Sequence, residues 1–248
     1  MADSFYPFTK QEAKEDGVLD RWEQSHRINV RCARDIDRLI ASHTQNGQME
    51  EDCARAALDW WGLRRVQFVL SNTLHGTSSR RFDQDSIRWV RTAYVPYDKT
   101  NVEFKVQADI SLLAQFVQQT YAEYQGLGMF GPKHCGAPDQ DYTGKVLVLR
   151  PDRLREDCWF AQNQLWYGLA GFGLSPASRG RAVFATCLGD GEKARWNRDD
   201  FMGVLDEQYL PDWAMERLAE LRAPAQEQAA ATDPEQAEAP AQGGMEMG

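Results

Sequence analysis

Side chains able to do chemistry crowd into one stretch, SPASRGRAVFATCLGDGEKARWNRDDFMGV, residues 175–204 of a 248-residue chain. Gly189-Asp190-Gly191 predicts a hairpin turn between a strand over Arg181–Leu188 and a second strand through Trp196. That fold-back would gather Arg179, Arg181, Lys193, Arg195 and Arg198 around one hairpin, with Trp196 among them. Arginine and tryptophan anchor protein interfaces, and the same set can stack a base and neutralise phosphates. Asp190, Glu192, Asp199 and Asp200 nearly cancel the positive charge. The plain structural reading is a salt-bridged hairpin. The functional reading preferred over catalysis or nucleic-acid binding is a protein-docking edge, with these six residues as the partner-binding set.

Other chemistry-bearing patterns are weaker. GLGMFG (126–131) fits the dinucleotide spacing GxGxxG, but that loop needs a strand before it and a helix after it. Here a helical pattern precedes and PKHCGAPD follows; Pro132 also stands where a phosphate-binding loop requires Lys. His134-Cys135 is the sole adjacent His/Cys pair, without the electropositive setting a nucleophilic thiol needs. The four histidines show no HxH or HExxH spacing, so neither a metal nor a cofactor is expected. The five cysteines are scattered without CxxC spacing, which predicts reduced thiols rather than a disulfide framework. Asn29, Asn72 and Thr73 lie beside or within apolar runs, where buried amides fix helix register.

The elements that must position these groups divide the chain by texture. Amphipathic helices are predicted over LDRWEQSHRINVRCARDIDRLIASH, MEEDCARAALDWWG, DQDSIRWVRTAY (capped by Asp83) and ADISLLAQFVQQTYAEYQG. The apolar run 66–70 reads as helix or strand, with helix favoured by its neighbours, and KTNVEFKVQ as a short strand or extended segment. Residues 1–125 therefore form a mainly helical domain, 126–143 a Gly/Pro-rich linker, and 144–222 a small α+β domain with an antiparallel hairpin. The fold class is α+β. Residues 223–248 hold five acids, no Lys or Arg and almost no large apolar side chain, which predicts a disordered acidic tail.

Charge and hydropathy narrow the function classes. A net charge of −9 does not suit a general binder of nucleic-acid backbone. No window approaches the roughly 18 apolar residues of a membrane span, and the first residues lack the pattern of a secretory signal. A cytoplasmic protein without membrane contact is expected.

Two stretches carry a resemblance. LDRWEQSHRINVRCARDIDRLIASH, GLRRVQFVLSNTL and RRFDQDSIRWV resemble an uncharacterised helical domain family of conjugative and integrative mobile elements of gut bacteria. NQLWYGLAGFGLSPASRGRAVFATCLGDGEKARWNRDDFMGVL resembles a second module fused to it in such elements. The resemblance implies no reaction and transfers no catalytic residue, so no enzyme is expected. It implies an accessory protein of the anti-CRISPR or antirestriction kind, whose partner is a host defence nuclease such as an RNA-guided effector or a restriction enzyme. The alternative is a nucleic-acid-binding module acting in element transfer or regulation.

Overall fold

The computed structural model describes residues 5–137, 139–154 and 159–230. The chain divides into two units, residues 1–210 and 211–248. The fold is α+β, with helices first and an antiparallel sheet after them.

In the first unit, α1 (Lys10–Glu15) starts at a capping box in which Thr9 and Glu12 satisfy each other's backbone N–H. The long α2 (Leu19–Ser42) buries Trp22, Asn29, Cys32, Ala33, Ile36 and Ile40, the stripe its 3.6-residue period dictates. A two-stranded ribbon, β1 (Thr44–Gln45) with β2 (Gln48–Met49), turns the chain through Asn46-Gly47. Next come α3 (Cys53–Trp61) and α4 (Leu63–Thr73), parted only by Gly62 at φ +71°, which breaks the helix without a side-chain penalty.

Run 66–70 is helical. Every residue from Arg65 to Asn72 is buried, so α4 is enclosed on all sides, its polar Arg65, Gln67, Ser71 and Asn72 included. Asp83 caps α5 (Gln84–Val90), accepting from Ser86 N at 2.8 Å. Asp109 caps α6 (Ile110–Gly126), accepting from Ser111 N at 2.8 Å. KTNVEFKVQ departs from the strand expectation: Lys99–Phe104 forms a 3₁₀ turn. Asp98 starts that turn by accepting from Thr100 N, and Asn72 Nδ2 holds its carbonyls at Asn101 (2.8 Å) and Phe104 (3.2 Å).

Five strands then form one antiparallel sheet: β3 (Val146–Leu149), β4 (Leu165–Ala170), β5 (Ala182–Cys187), β6 (Lys193–Asn197) and β7 (Phe201–Val204). A short helix, α7 (Ala161–Gln164), leads into β4. The spatial order β6-β5-β4-β3-β7 puts β6 and β7 on opposite edges, although only residues 198–200 join them. Four strand spacings in a flat sheet amount to about 19 Å, whereas four residue steps reach about 14 Å. The sheet must therefore curl. Its concave face carries Leu147, Trp166, Val183, Ala185 and Phe201, all within the main core cluster, with the partly buried Trp196 packed against them.

That cluster runs without interruption from the helices into the sheet, and segment 126–143 is built into it: Met129, Phe130 and Tyr142 are buried. The tie is Gln164, itself buried. Its Oε1 accepts from Phe130 N (2.7 Å), and its Nε2 donates to Tyr124 Oη, Phe130 O and Leu149 O at 3.0–3.1 Å. Helix α6, the glycine-rich segment and strand β3 thus share one polar hub. In the second unit, α8 (Asp212–Ala230) continues eight residues beyond the expected helix end at Arg222, through APAQEQAA, whose alanines and glutamines favour helix while Pro224 does not. The rest of the expected tail, 231–248, lies outside the described residues, as does Cys158.

Candidate functional site

The hairpin forms where the sequence places it. Strands β5 and β6 pair in register from Ala182–Asn197 to Thr186–Lys193. At the tip, Gly191 (φ +79°) donates to Cys187 O, and Asp190 Oδ1 accepts from Glu192 N at 2.9 Å. A Cβ on Gly189 would lie 2.7 Å from Gln162 Cβ, so the turn needs glycine there for room.

Within the hairpin the six expected partner residues do not form one surface. Lys193 and Arg195 point outward and are exposed, as is Arg179 in the loop before β5. Trp196 takes the opposite face and packs edge-on against Trp166, with centroids 5.1 Å apart, and near Phe201. Arg198 is enclosed at 4% exposure. Its Nη1 donates to Gly173 O (2.9 Å) and Leu174 O (2.8 Å), its Nη2 donates to Gln140 O (2.7 Å), and its guanidinium lies 3.8 Å over the Tyr142 ring. Arg181 pairs with Asp199. Trp196 and Arg198 are therefore structural members of the concave side, and their place in the docking set is corrected on that ground. Arg181 shares the parity of Val183 rather than that of Phe184, and it joins Arg198 along a cleft on the concave side.

Outside, the sequence reading missed the apolar part of the surface. Phe184, register partner of Arg195, is 47% exposed; Phe172 is 78% exposed and Leu169 45%. Gly171, next to Phe172 in the chain, abuts Phe184: a Cβ there would sit 3.3 Å from Phe184 Cδ2. The signal was present in the strand alternation, which puts Phe184 on the face opposite Val183 and Ala185.

The main chain of β6 adds to this surface. Cys187 N donates to Glu192 O and Arg198 N donates to Arg181 O, which fixes the hydrogen-bonded pairs as 187/192, 185/194, 183/196 and 181/198. The backbone groups of Lys193 and Arg195 accordingly face away from β5, and no described strand pairs with that edge. Sheet edge β7 is different: Cys135 bridges Leu205, and Gly136 N donates to Val204 O.

The remaining motifs resolve as structure. Gly126 ends α6, and Gly128 (φ +70°) donates to Gln125 O, so GLGMFG closes a helix and opens none. His134 Nδ1 accepts from Gly131 N at 2.8 Å, and burial lowers its pKa from the ordinary value, with Lys133 adding to the shift. Burial pushes the Cys135 thiol up to about 12, the reverse of an activated nucleophile. Cys53 and Cys187 are also pushed up, each to about 11, chiefly by burial. Asn29 accepts from the buried Arg65, locking α2 to α4. His43, Glu50 and Asp52 bring ligating atoms within 4.8 Å of one another, but both acids are exposed and His43 Nδ1 already bonds Leu39 O.

Residues 5–125 match the family described as Protein of unknown function (DUF3849), a stretch that holds the helical region up to the end of α6. No curated protein and no solved structure matches the chain.

Proposed function

We propose that this chain is a non-catalytic accessory protein of a mobile element that binds a host defence nuclease, of the RNA-guided or restriction class, and obstructs its nucleic-acid-binding surface. The observation that carries the reading is the open edge of β6. There two unpaired stretches of main chain, two cations and the exposed Phe184 lie side by side. Such an edge accepts a partner strand through backbone hydrogen bonds, while flanking side chains select the partner. Exposed aromatics beside arginine are the composition of interface anchors. The net charge of −9 supplies the second half of the mechanism, because an acidic body held against a basic channel competes with nucleic acid for it. The resemblance of both halves to modules of mobile elements supports the choice of target class.

The test is a cleavage assay. Restriction enzymes and RNA-guided effectors are captured from bacterial lysate with the full chain, with and without nuclease treatment. Each captured enzyme is then assayed on its own DNA substrate. The expected result is a nuclease-resistant complex and loss of cleavage. The double variant Phe184→Asp, Arg195→Glu should raise the inhibitory concentration roughly tenfold or more, about 1.4 kcal/mol of contact energy. Recovery of nucleic acid alone, through binding that weakens steeply with salt, would instead favour the nucleic-acid-binding module and end this reading.

A further inference from the structure

A second surface, on the other side of the hairpin, has a different chemistry. A cleft of about 640 Å³ is lined by Arg88, Arg91, Arg150, Arg181 and Arg198, with only Asp139 and Asp199 as carboxylates. In a chain of net −9, that local excess of positive charge runs against the whole.

The five guanidiniums are not equivalent. Arg198 is spent on carbonyls and on Tyr142, and Arg150 on Asp152 and the Asp199 carbonyl. Both are fixed, and they contribute a rigid positive background. Arg88 forms no ion pair among the described residues, and it is exposed. Arg91 commits one nitrogen, Nη2, to Thr77 O at 2.9 Å. Arg181 is paired with Asp199, whose side chain is 68% exposed and free to swing away. Three guanidiniums with spare N–H groups therefore border one cavity.

We propose that this cleft binds the phosphate group of a small phosphorylated ligand of nucleotide size. The volume falls within the range of small-ligand sites. Guanidinium forks match phosphate oxygens bidentately, and a dianionic group suits three available cations better than one carboxylate does. Asp199 holds the place on Arg181 that a phosphate oxygen would take. Nucleic acid is the poorer fit. Stacking of bases needs open aromatic faces, whereas Arg198 covers the Tyr142 ring and Phe201 is buried. The site is independent of docking at β6, since Arg88 and Arg91 belong to the end of α5.

Calorimetric titration of the full chain with inorganic phosphate, pyrophosphate and ATP tests the proposal, with a single-stranded oligonucleotide as the competing arm. Pyrophosphate or ATP should bind at millimolar concentration or below. Arg88→Ala with Arg91→Ala should weaken that binding roughly tenfold while leaving the melting temperature of the free protein unchanged. Asp199→Asn should strengthen it, because the variant removes the internal competitor and keeps the backbone carbonyl that Arg150 uses; a mere surface charge effect would not single out that residue. Absence of heat with all three probes, indifference to the arginine pair, or preference for the oligonucleotide would each overturn it.

Discussion

Along β6, Lys193 and Arg195 stand in solvent, while Trp196, one residue on, packs against Trp166 and Phe201. Two residues further, Arg198 is enclosed by three carbonyls and a tyrosine ring. Four residues that look alike as interface anchors thus serve two purposes, and strand parity sorts them. On the concave side a cation is useful because the carbonyls of Gly173 and Gln140, and a second acceptor position on Leu174 O beside its bond from Tyr142 N, are met by the guanidinium. On the convex side a cation keeps an unpaired sheet edge soluble, and it is available to a partner. Residue type alone does not separate a docking arginine from a structural one; what it faces does.

Breaking the concave side should have the largest effect. Arg198→Ala takes the side-chain donor from the carbonyls of Gly173 and Gln140, leaves Leu174 O with Tyr142 N alone and uncovers the Tyr142 ring, and it is expected to cost about 3–5 kcal/mol. Urea denaturation followed by tryptophan fluorescence measures this. A loss under about 1 kcal/mol, the level of an ordinary surface substitution, would return Arg198 to the surface set. Trp196→Ala comes next, at about 2–3 kcal/mol, below the usual range for a fully buried tryptophan because the ring is only partly enclosed. Trp196→Phe sharpens the point. The indole Nε1–H has no hydrogen-bond partner among the described residues, so phenylalanine should retain most of the stability. If Phe is as damaging as Ala, the indole N–H matters after all.

Legibility followed the same division between local pattern and tertiary arrangement. Helix α2, the cap Asp83 and the Gly189–Gly191 turn were readable because each is set by neighbours in the chain: a 3.6-residue stripe, a side-chain acceptor, a glycine pair. The 66–70 run is too short and too apolar to separate helix from strand by period, and so its state rested on context. Lys99–Phe104 read as extended because what holds it in a turn is Asn72, nearly thirty residues earlier. Segment 126–143 looked like a linker by composition. Its place in the core depends on Gln164, a tertiary partner 34 residues from Phe130 in the chain. The arginine cleft was invisible for the same reason: Arg88 and Arg91 come from α5, while Arg150, Arg181 and Arg198 come from the sheet. Within the hairpin, composition marks candidate anchors, but only strand parity separates the exposed Phe184 from the enclosed Arg198.

The smallest effect on stability is expected on the convex side, and there it discriminates most sharply. Arg195→Ala removes an exposed side chain on an edge strand, and the stability change should stay within about 0.5 kcal/mol. Its backbone groups, which face the open edge, are untouched, so a partner strand can still add. Binding should therefore weaken without being abolished, and most of the loss should appear in the dissociation rate, where interface variants usually act. A denaturation midpoint that falls as far as in Trp196→Ala would mean that Arg195 is part of the packing. The two sides of β6 would then be one structural unit, with no free edge to offer a partner.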